Sequence, residues 1–308
     1  MKTTLYFTLT LITFLTLVSA PNGFAQDASG KVGLVYFLPN DRQPEPDIDA
    51  KMDTLIRNVQ QFYADHLENH GFGRKTFQFE TDENGKAVVE HVNGRLTDEE
   101  YIYGVGRAAG EIHEQLDPRI YLCVLGTSRG GGVYFKGIAF TNFSSYVPTA
   151  AHELGHAFGL QHDDRRSNIK LILTEQIAED NMLLSFCSAA NLDVHPFFNT
   201  GDQEVNQNTN IQILPPIQSP QDAIRLRFNV TDPDGLHLAI LYSTFQSGTS
   251  KNGELHVFNN WDIIDCKLIE GRSTTVEFDT NLLTKGNSSV DLRVLDVHGN
   301  KKNTRFQN

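Results

Sequence analysis

From Lys31 to Leu38 the chain carries Val32, Leu34, Val35, Tyr36 and Phe37 as a nearly unbroken apolar run, the pattern of a strand covered on both faces. Pro39-Asn40 ends it. The period then changes. Ile48, Met52, Leu55, Ile56, Val59, Tyr63 and Leu67 recur at intervals of three and four, which predicts an amphipathic helix stopping near Gly71. Residues 76–80 and 86–90 read as extended pieces around an Asn84-Gly85 turn. Thr97 and Glu100 have capping-box spacing, and Tyr101, Val105, Ala108, Ile112 and Leu116 predict a second helix broken by Asp117-Pro118. A buried strand is expected over 120–125. After Gly130-Gly131-Gly132, residues 133–140 read as a further strand suited to a sheet edge. Strands alternate with helices, so the first ~200 residues are expected to be α/β (α+β) with a twisted, largely parallel sheet.

The pattern shifts after Phe198. Residues 199–210 are rich in Asn, Gln and Thr, and Pro215-Pro216 and Pro220 follow, which marks a linker with room for one early strand. Beyond it the period is two: Ile224, Leu226, Phe228 and Val230 alternate with polar residues. Leu236, Leu238, Ile240 and Tyr242 repeat the pattern after an Asp232-Pro233-Asp234-Gly235 turn, as do Val276 with Phe278 and Val290, Leu292 with Val294. About seven short strands in such a segment predict an all-β sandwich of the immunoglobulin or fibronectin type III kind. The expected organisation is therefore a targeting segment over 1–25, an α/β domain over 27–200, a linker over 201–222 and a sandwich over 223–308.

Composition adds a compartment and excludes some partners. Lys2, an apolar run over 5–18 and small residues up to Ala25 form a signal peptide with cleavage expected after Ala25, which implies a secreted, extracellular or periplasmic protein. The run is shorter than the ~20 apolar residues of a membrane span, so none is expected after its removal. A formal net charge of -12 over 308 residues argues against nucleic acid or an anionic membrane as partner. With 3 cysteines, one bridge is the most an exported chain can form, and Cys123 on a buried strand with Cys187 is the pairing considered. No Cys-x-x-Cys pair exists. A metal must then be held by His, Asp or Glu.

The run His152-Glu153-Leu154-Gly155-His156-Ala157-Phe158-Gly159-Leu160-Gln161-His162 supplies such a set. On a helix, His152 and His156 lie one turn apart on one face and reach one ion at the ~2.0–2.1 Å of a zinc–nitrogen bond. Thr149 is the expected N-cap. His162 joins them only if the chain leaves the helix, and Gly159 is the residue type that permits a left-handed exit. Three imidazoles leave a fourth position open, the arrangement of a catalytic zinc, with Glu153 as general base. By chance the five specified positions coincide roughly once in ten thousand chains of this length.

This extended motif resembles that of the metzincin zinc metallopeptidases, and its continuation into Asp163 resembles the adamalysin/reprolysin branch. The resemblance implies a catalytic domain divided by the active-site helix, and an antiparallel edge strand that binds substrate in extended form. Gly137-Ile138-Ala139-Phe140 and the strand before it occupy the expected place of that edge. It also implies a methionine turn below the metal. Met182 is the one methionine after the motif, without the usual following Tyr, and a leucine-bearing turn around 169–173 is the alternative. The expected activity is a zinc-dependent endopeptidase acting on a peptide or protein substrate, with a sandwich whose ligand the sequence does not reveal. The competing function is a catalytically inert, zinc-containing adhesive or binding protein, although binding gives no chemical reason for Glu153.

Other polar residues have simpler roles. Asp163 is expected to organise backbone around the third ligand. His195, before Pro196, is expected to pack or cap. Asp232, Asp234 and Asp296 beside Gly235 and Gly299 are a candidate set for Ca²⁺, although turn formation accounts for them without a metal.

Overall fold

The computed structural model describes residues 30–102, 104–128, 132–142, 147–163, 183–199, 206, 208–218, 223–251, 254–280 and 289–306, with backbone alone over 245–251 and 254–260. The predicted signal segment lies outside these residues. Among them, no helix is long and apolar enough to cross a membrane.

The N-terminal part is a six-stranded sheet between two layers of helices. Strand β1 (Lys31–Leu38) runs parallel to β4 (Tyr121–Leu125), and β4 runs parallel to β6 (Ile138–Asn142). The apolar run of β1 is buried from Val32 to Phe37 because helices cover both faces. On one face, α1 (Ile48–Asn69), α4 (Val147–Ala157) and α5 (Phe186–Asp193) enclose a core with Leu34, Tyr36, Leu122 and Val124. On the other, α2 (Asp98–Ile102) and α3 (Val105–Gln115) cover Val35, Phe37, Tyr121 and Cys123.

The sequence pattern differs from the structure in three places here. The extended pieces around Asn84-Gly85 form β2 (Gln78–Phe79) and β3 (Val89–Asn93), which pair with successive stretches of β1, both in parallel; the antiparallel bridge between the pieces, Thr81 to Ala87, lies outside both strands. The single helix expected after Thr97 is two, with Gly104 as the non-helical N-cap of α3. The capping contact itself forms, the Thr97 N–H donating to Glu100 Oε2 at 3.1 Å. Residues 133–140 are not one edge strand. They make β5 (Val133–Phe135), a tight turn at Lys136-Gly137 with positive φ at both, and then β6. The antiparallel edge is β5, whereas Ile138, Ala139 and Phe140 are buried inside the sheet.

The C-terminal part is two antiparallel sheets on a shared core. One has the order β11 (Ser273–Thr280), β8 (Ile224–Thr231), β7 (Asn210–Gln218). The other has the order β10 (Glu254–Leu268), β9 (Leu236–Lys251), β12 (Ser289–Asp296), β13 (Lys301–Phe306). Leu226, Phe228, Val276, Phe278, Leu241 and Leu292 fill the space between them. Half of the predicted linker is thus the strand β7. Pro215-Pro216 sits where its register to β8 shifts, on an edge strand, which tolerates the missing N–H groups.

The four-stranded sheet is buried on both faces. Leu238, Ile240 and Tyr242, expected to point into the sandwich core, face the N-terminal part and pack with Cys187, Ala190, Val194, Ile263 and Leu295. Their neighbours Ala239 and Leu241 fill the sandwich instead. A disulfide joins Cys187 of α5 to Cys266 of β10 across this contact. The expected Cys123–Cys187 pairing is therefore wrong, for a topological reason: on β4 alternate residues face opposite layers, and Cys123 points into the α2–α3 layer, away from α5.

Candidate metal centre

Helix α4 carries its small and apolar residues Ala150, Ala151 and Leu154 on one side, which packs into the core against α1. Tyr63 of α1, fully buried, donates its hydroxyl to the Ala151 carbonyl at 2.6 Å. That bond and the apolar stripe fix the roll of the helix, and His152 and His156 are thereby left on another face. The helix begins at Val147, so Thr149 lies in its first turn and is not the cap.

Past the last helical residue, Ala157, the chain turns out at Gly159, which has φ of 85°. Its N–H bonds to the His156 carbonyl at 2.9 Å, and the next N–H, of Leu160, reaches back to the Gly155 carbonyl at 3.0 Å. This pair of bonds is the Schellman arrangement, with Gly159 in its left-handed position and Leu160 folding back into the core. The reversal brings His162 beside the other two imidazoles.

One ring nitrogen from each of His152, His156 and His162 lies within 4.8 Å of the others. His156 Nδ1 bonds to the Leu160 carbonyl at 3.0 Å, which as an N–H donor leaves Nε2 as the free acceptor, 3.0 Å from His152 Nε2. Ligands on a tetrahedral ion stand about 3.3 Å apart, so this spacing suits a shared metal to within a few tenths of an ångström. Burial, with repulsion from the neighbouring imidazoles, drives the pKa of His152 down to about 2. Burial is also the main cause that lowers His156 to about 4. Both stay neutral at ordinary pH, the form that ligates. The donor set fits one divalent ion.

Glu153 is 7% exposed, its Oε1 3.9 Å from His152 Nε2. Burial pushes its carboxyl up to about 8, and a hydrogen bond from the Tyr134 backbone N–H on β5 works the other way. The edge strand therefore touches the acid directly. Just before it, Gly132 lies so close to α4 that a Cβ there would stand 2.6 Å from Glu153 Oε1 and 2.6 Å from Thr149 Cγ2. The glycine run was visible in the sequence, but the close approach that requires Gly132 depends on where the loop lands. The Tyr134 ring centre is 6.4 Å from that of His156. No sequence signal marked this tyrosine.

The structure brings the three histidines and Glu153 together, with Gly159 at the turn between them. Asp163 follows His162 with no exposed surface; burial raises the pKa of the Tyr242 phenol, and the nearby Asp163 charge acts in the same direction. Met182 and the alternative turn around 169–173 lie outside the described residues. His195 is not part of the centre. It is buried, and its Nδ1 accepts from the Phe197 N–H at 3.3 Å, capping the short 3-10 helix Pro196–Phe198.

The Asp232, Asp234 and Asp296 carboxylates come within 4.8 Å of one another in the C-terminal part. Asp232 accepts from the Asp234 N–H and the Thr209 hydroxyl, and Asp296 from the N–H groups of His298 and Asn300. These bonds shape two turns, and they give the carboxylates a role without Ca²⁺.

No family model and no curated protein matches the sequence. Crystal structures of OgpA from Akkermansia muciniphila do match the fold. Two of the wild type give TM-scores of 0.63 and 0.64 at 16% identity, covering 94% and 96% of this chain and 96% of theirs. A catalytically inactive OgpA in complex with an O-glycopeptide (glycodrosocin) substrate gives 0.64 at 16% identity, over 96% of this chain and 97% of that one. Through nearly its whole length, α/β part and β sheets alike, this chain is similar in fold to OgpA.

Proposed function

We propose that this chain is a secreted zinc endopeptidase of the metzincin type, and that its substrates are O-glycosylated polypeptides. The observation that carries the proposal is the meeting of three imidazoles with a buried glutamate against an antiparallel edge strand. Zinc is the ion best suited to three histidine nitrogens with one position left open, and it supplies Lewis-acid activation of water and of a substrate carbonyl when bound. His152, His156 and His162 would hold it. Glu153 takes the proton of the attacking water on a carboxylate oxygen and passes it to the leaving amine nitrogen. The Tyr134 N–H keeps that carboxylate in place, and the outer edge of β5 offers backbone groups to an extended substrate.

The likeness to OgpA, crystallised with an O-glycopeptide, supports the substrate class. The predicted signal peptide, cut after Ala25, supports export, and the Cys187–Cys266 disulfide suits an oxidising compartment. The sandwich, which we take to be immunoglobulin-like, would begin near residue 208, with the catalytic domain before it.

The test compares wild type with Glu153→Ala, each with bound zinc measured, on an O-glycopeptide and on the same peptide without its glycan. Wild type is expected to cut the glycosylated form, and Glu153→Ala to be about 10² to 10⁴ slower with its zinc retained. Equal rates in the two proteins would refute the enzyme and favour an inert binding protein. Equal cleavage of both peptides would refute the glycan dependence alone.

A further inference from the structure

His152 and His156 are placed by their own helix, but His162 is not. Leu160 is still tied to α4 through its N–H and its carbonyl, but beyond it the chain runs clear of the helix, and the backbone tie at His162 belongs to the C-terminal part. The Ile263 N–H of β10 donates to the His162 carbonyl at 2.9 Å, and His162 pairs with Asp262 as a parallel bridge. Strand β10 is the outer strand of its sheet, so one row of its backbone groups is unused by β9. The β10–β9 register shifts between Ile263 and Asp265, at the point where the strand meets His162.

A second tie holds the start of the same segment. The Arg293 guanidinium on β12 lies over the rings of Tyr242 at 5.0 Å and Trp261 at 5.5 Å. From there it points to the Gly159 carbonyl and to the Tyr242 hydroxyl, each at 3.4 Å. A cation at the C-terminal end of α4 also complements the helix dipole. Three residues beyond Ile263, Cys266 anchors β10 to α5 through the disulfide.

We infer that the C-terminal sheets are part of the metal centre: Ile263 and Arg293 are positioning residues that hold the Gly159–His162 segment so that the third imidazole meets the ion. This rests on the metallopeptidase proposal above. The β part is then no detachable accessory. Two ligands come from a helix whose geometry is local, and the third comes from a segment whose geometry is set more than a hundred residues later in the chain.

Full-length protein carrying Co²⁺ tests this, because cobalt in a histidine site reports coordination through its visible spectrum. Ile263→Pro removes the N–H, which faces His162 and not the β9 ladder, and keeps an apolar side chain. Arg293→Met removes the guanidinium and keeps the stem, and Arg293→Lys restores a cation. His162→Ala gives the signature of a site without its third ligand. Ile263→Pro and Arg293→Met are each expected to weaken Co²⁺ affinity, measured against a competing chelator, about tenfold to a hundredfold. Their spectra should shift toward that of His162→Ala, while far-UV circular dichroism and metal-free melting stay near wild type. Arg293→Lys should recover part of the affinity.

Wild-type affinity and spectrum in both variants would overturn the positioning role. If Ile263→Pro fails to fold, Arg293→Met decides by the same readouts, and an unfolded Arg293→Met with normal Co²⁺ binding in Arg293→Lys and Ile263→Pro also overturns it. A wild-type protein that binds no Co²⁺ removes the metallopeptidase proposal and this inference together. One that binds Co²⁺ and cleaves nothing removes the peptidase and leaves the positioning role standing.

Discussion

A methyl group added at Gly132 meets Glu153 Oε1 and Thr149 Cγ2, both 2.6 Å from where its carbon would be. Both residues are on α4, but the Thr149 methyl sits one bond from a stiff, β-branched Cβ, so the longer Glu153 side chain is the part that yields. Gly132→Ala is expected to lower kcat about tenfold to a hundredfold with zinc content unchanged, since small misplacements of a reacting group carry costs of that size. Steady-state kinetics beside metal analysis checks it, and a normal kcat contradicts it. Gly159→Ala acts differently. An alanine at φ of 85° is strained by about 1 kcal/mol, a loss that urea unfolding of the metal-free protein should show. Cys123 is the third residue with a clear expectation. Burial raises its thiol well above the ordinary range, so alkylating reagents at pH 8 should leave it unmodified in the folded chain.

Among the elements, the connection most open to test is the one between α5 and β10. Denatured without reductant, the protein should take up 1 alkyl group, at Cys123; denatured with reductant it should take up all 3. Replacing Cys187 and Cys266 by serine removes a link between residues 79 apart and should cost about 2–4 kcal/mol of stability. The sequence made most of these elements legible, because the unbroken apolar run of β1 and the three-and-four spacing of α1 are patterns that their own burial enforces. It also made the histidine motif legible, since the helix and the glycine exit are local geometry. The partner of Cys187 was not legible. Which face of a sheet a residue serves follows from strand order, and no local pattern records that order. The same limit left β9 half-read: residues 238–242 form an unbroken apolar run, the pattern of a strand covered on both faces, but nothing local says which set faces which core.

At the scale of the whole molecule, the sheet formed by β10, β9, β12 and β13 serves two cores at once, the sandwich on one face and α5 on the other. Neither part can lose its partner without exposing Leu238, Ile240, Ala190 and Val194. The oxidised, metal-free protein is therefore expected to unfold in a single calorimetric transition, and two well-separated transitions would show that the parts are energetically independent. A chain ending at residue 200 should be poorly soluble and should bind zinc more weakly than the full chain, as equilibrium dialysis would report. An accessory module joined only by a linker predicts normal zinc binding in the truncated chain.

The bond from Ile263 to His162 also imposes a schedule. A polypeptide is made from its N-terminus, and His152, His156 and Glu153 can be in place as soon as α4 packs. His162 waits for Ile263, 101 residues further on, and for Arg293 after that. While the chain is still emerging, the centre has two of its three ligands. What arms it is delivered more than a hundred residues after the first two ligands.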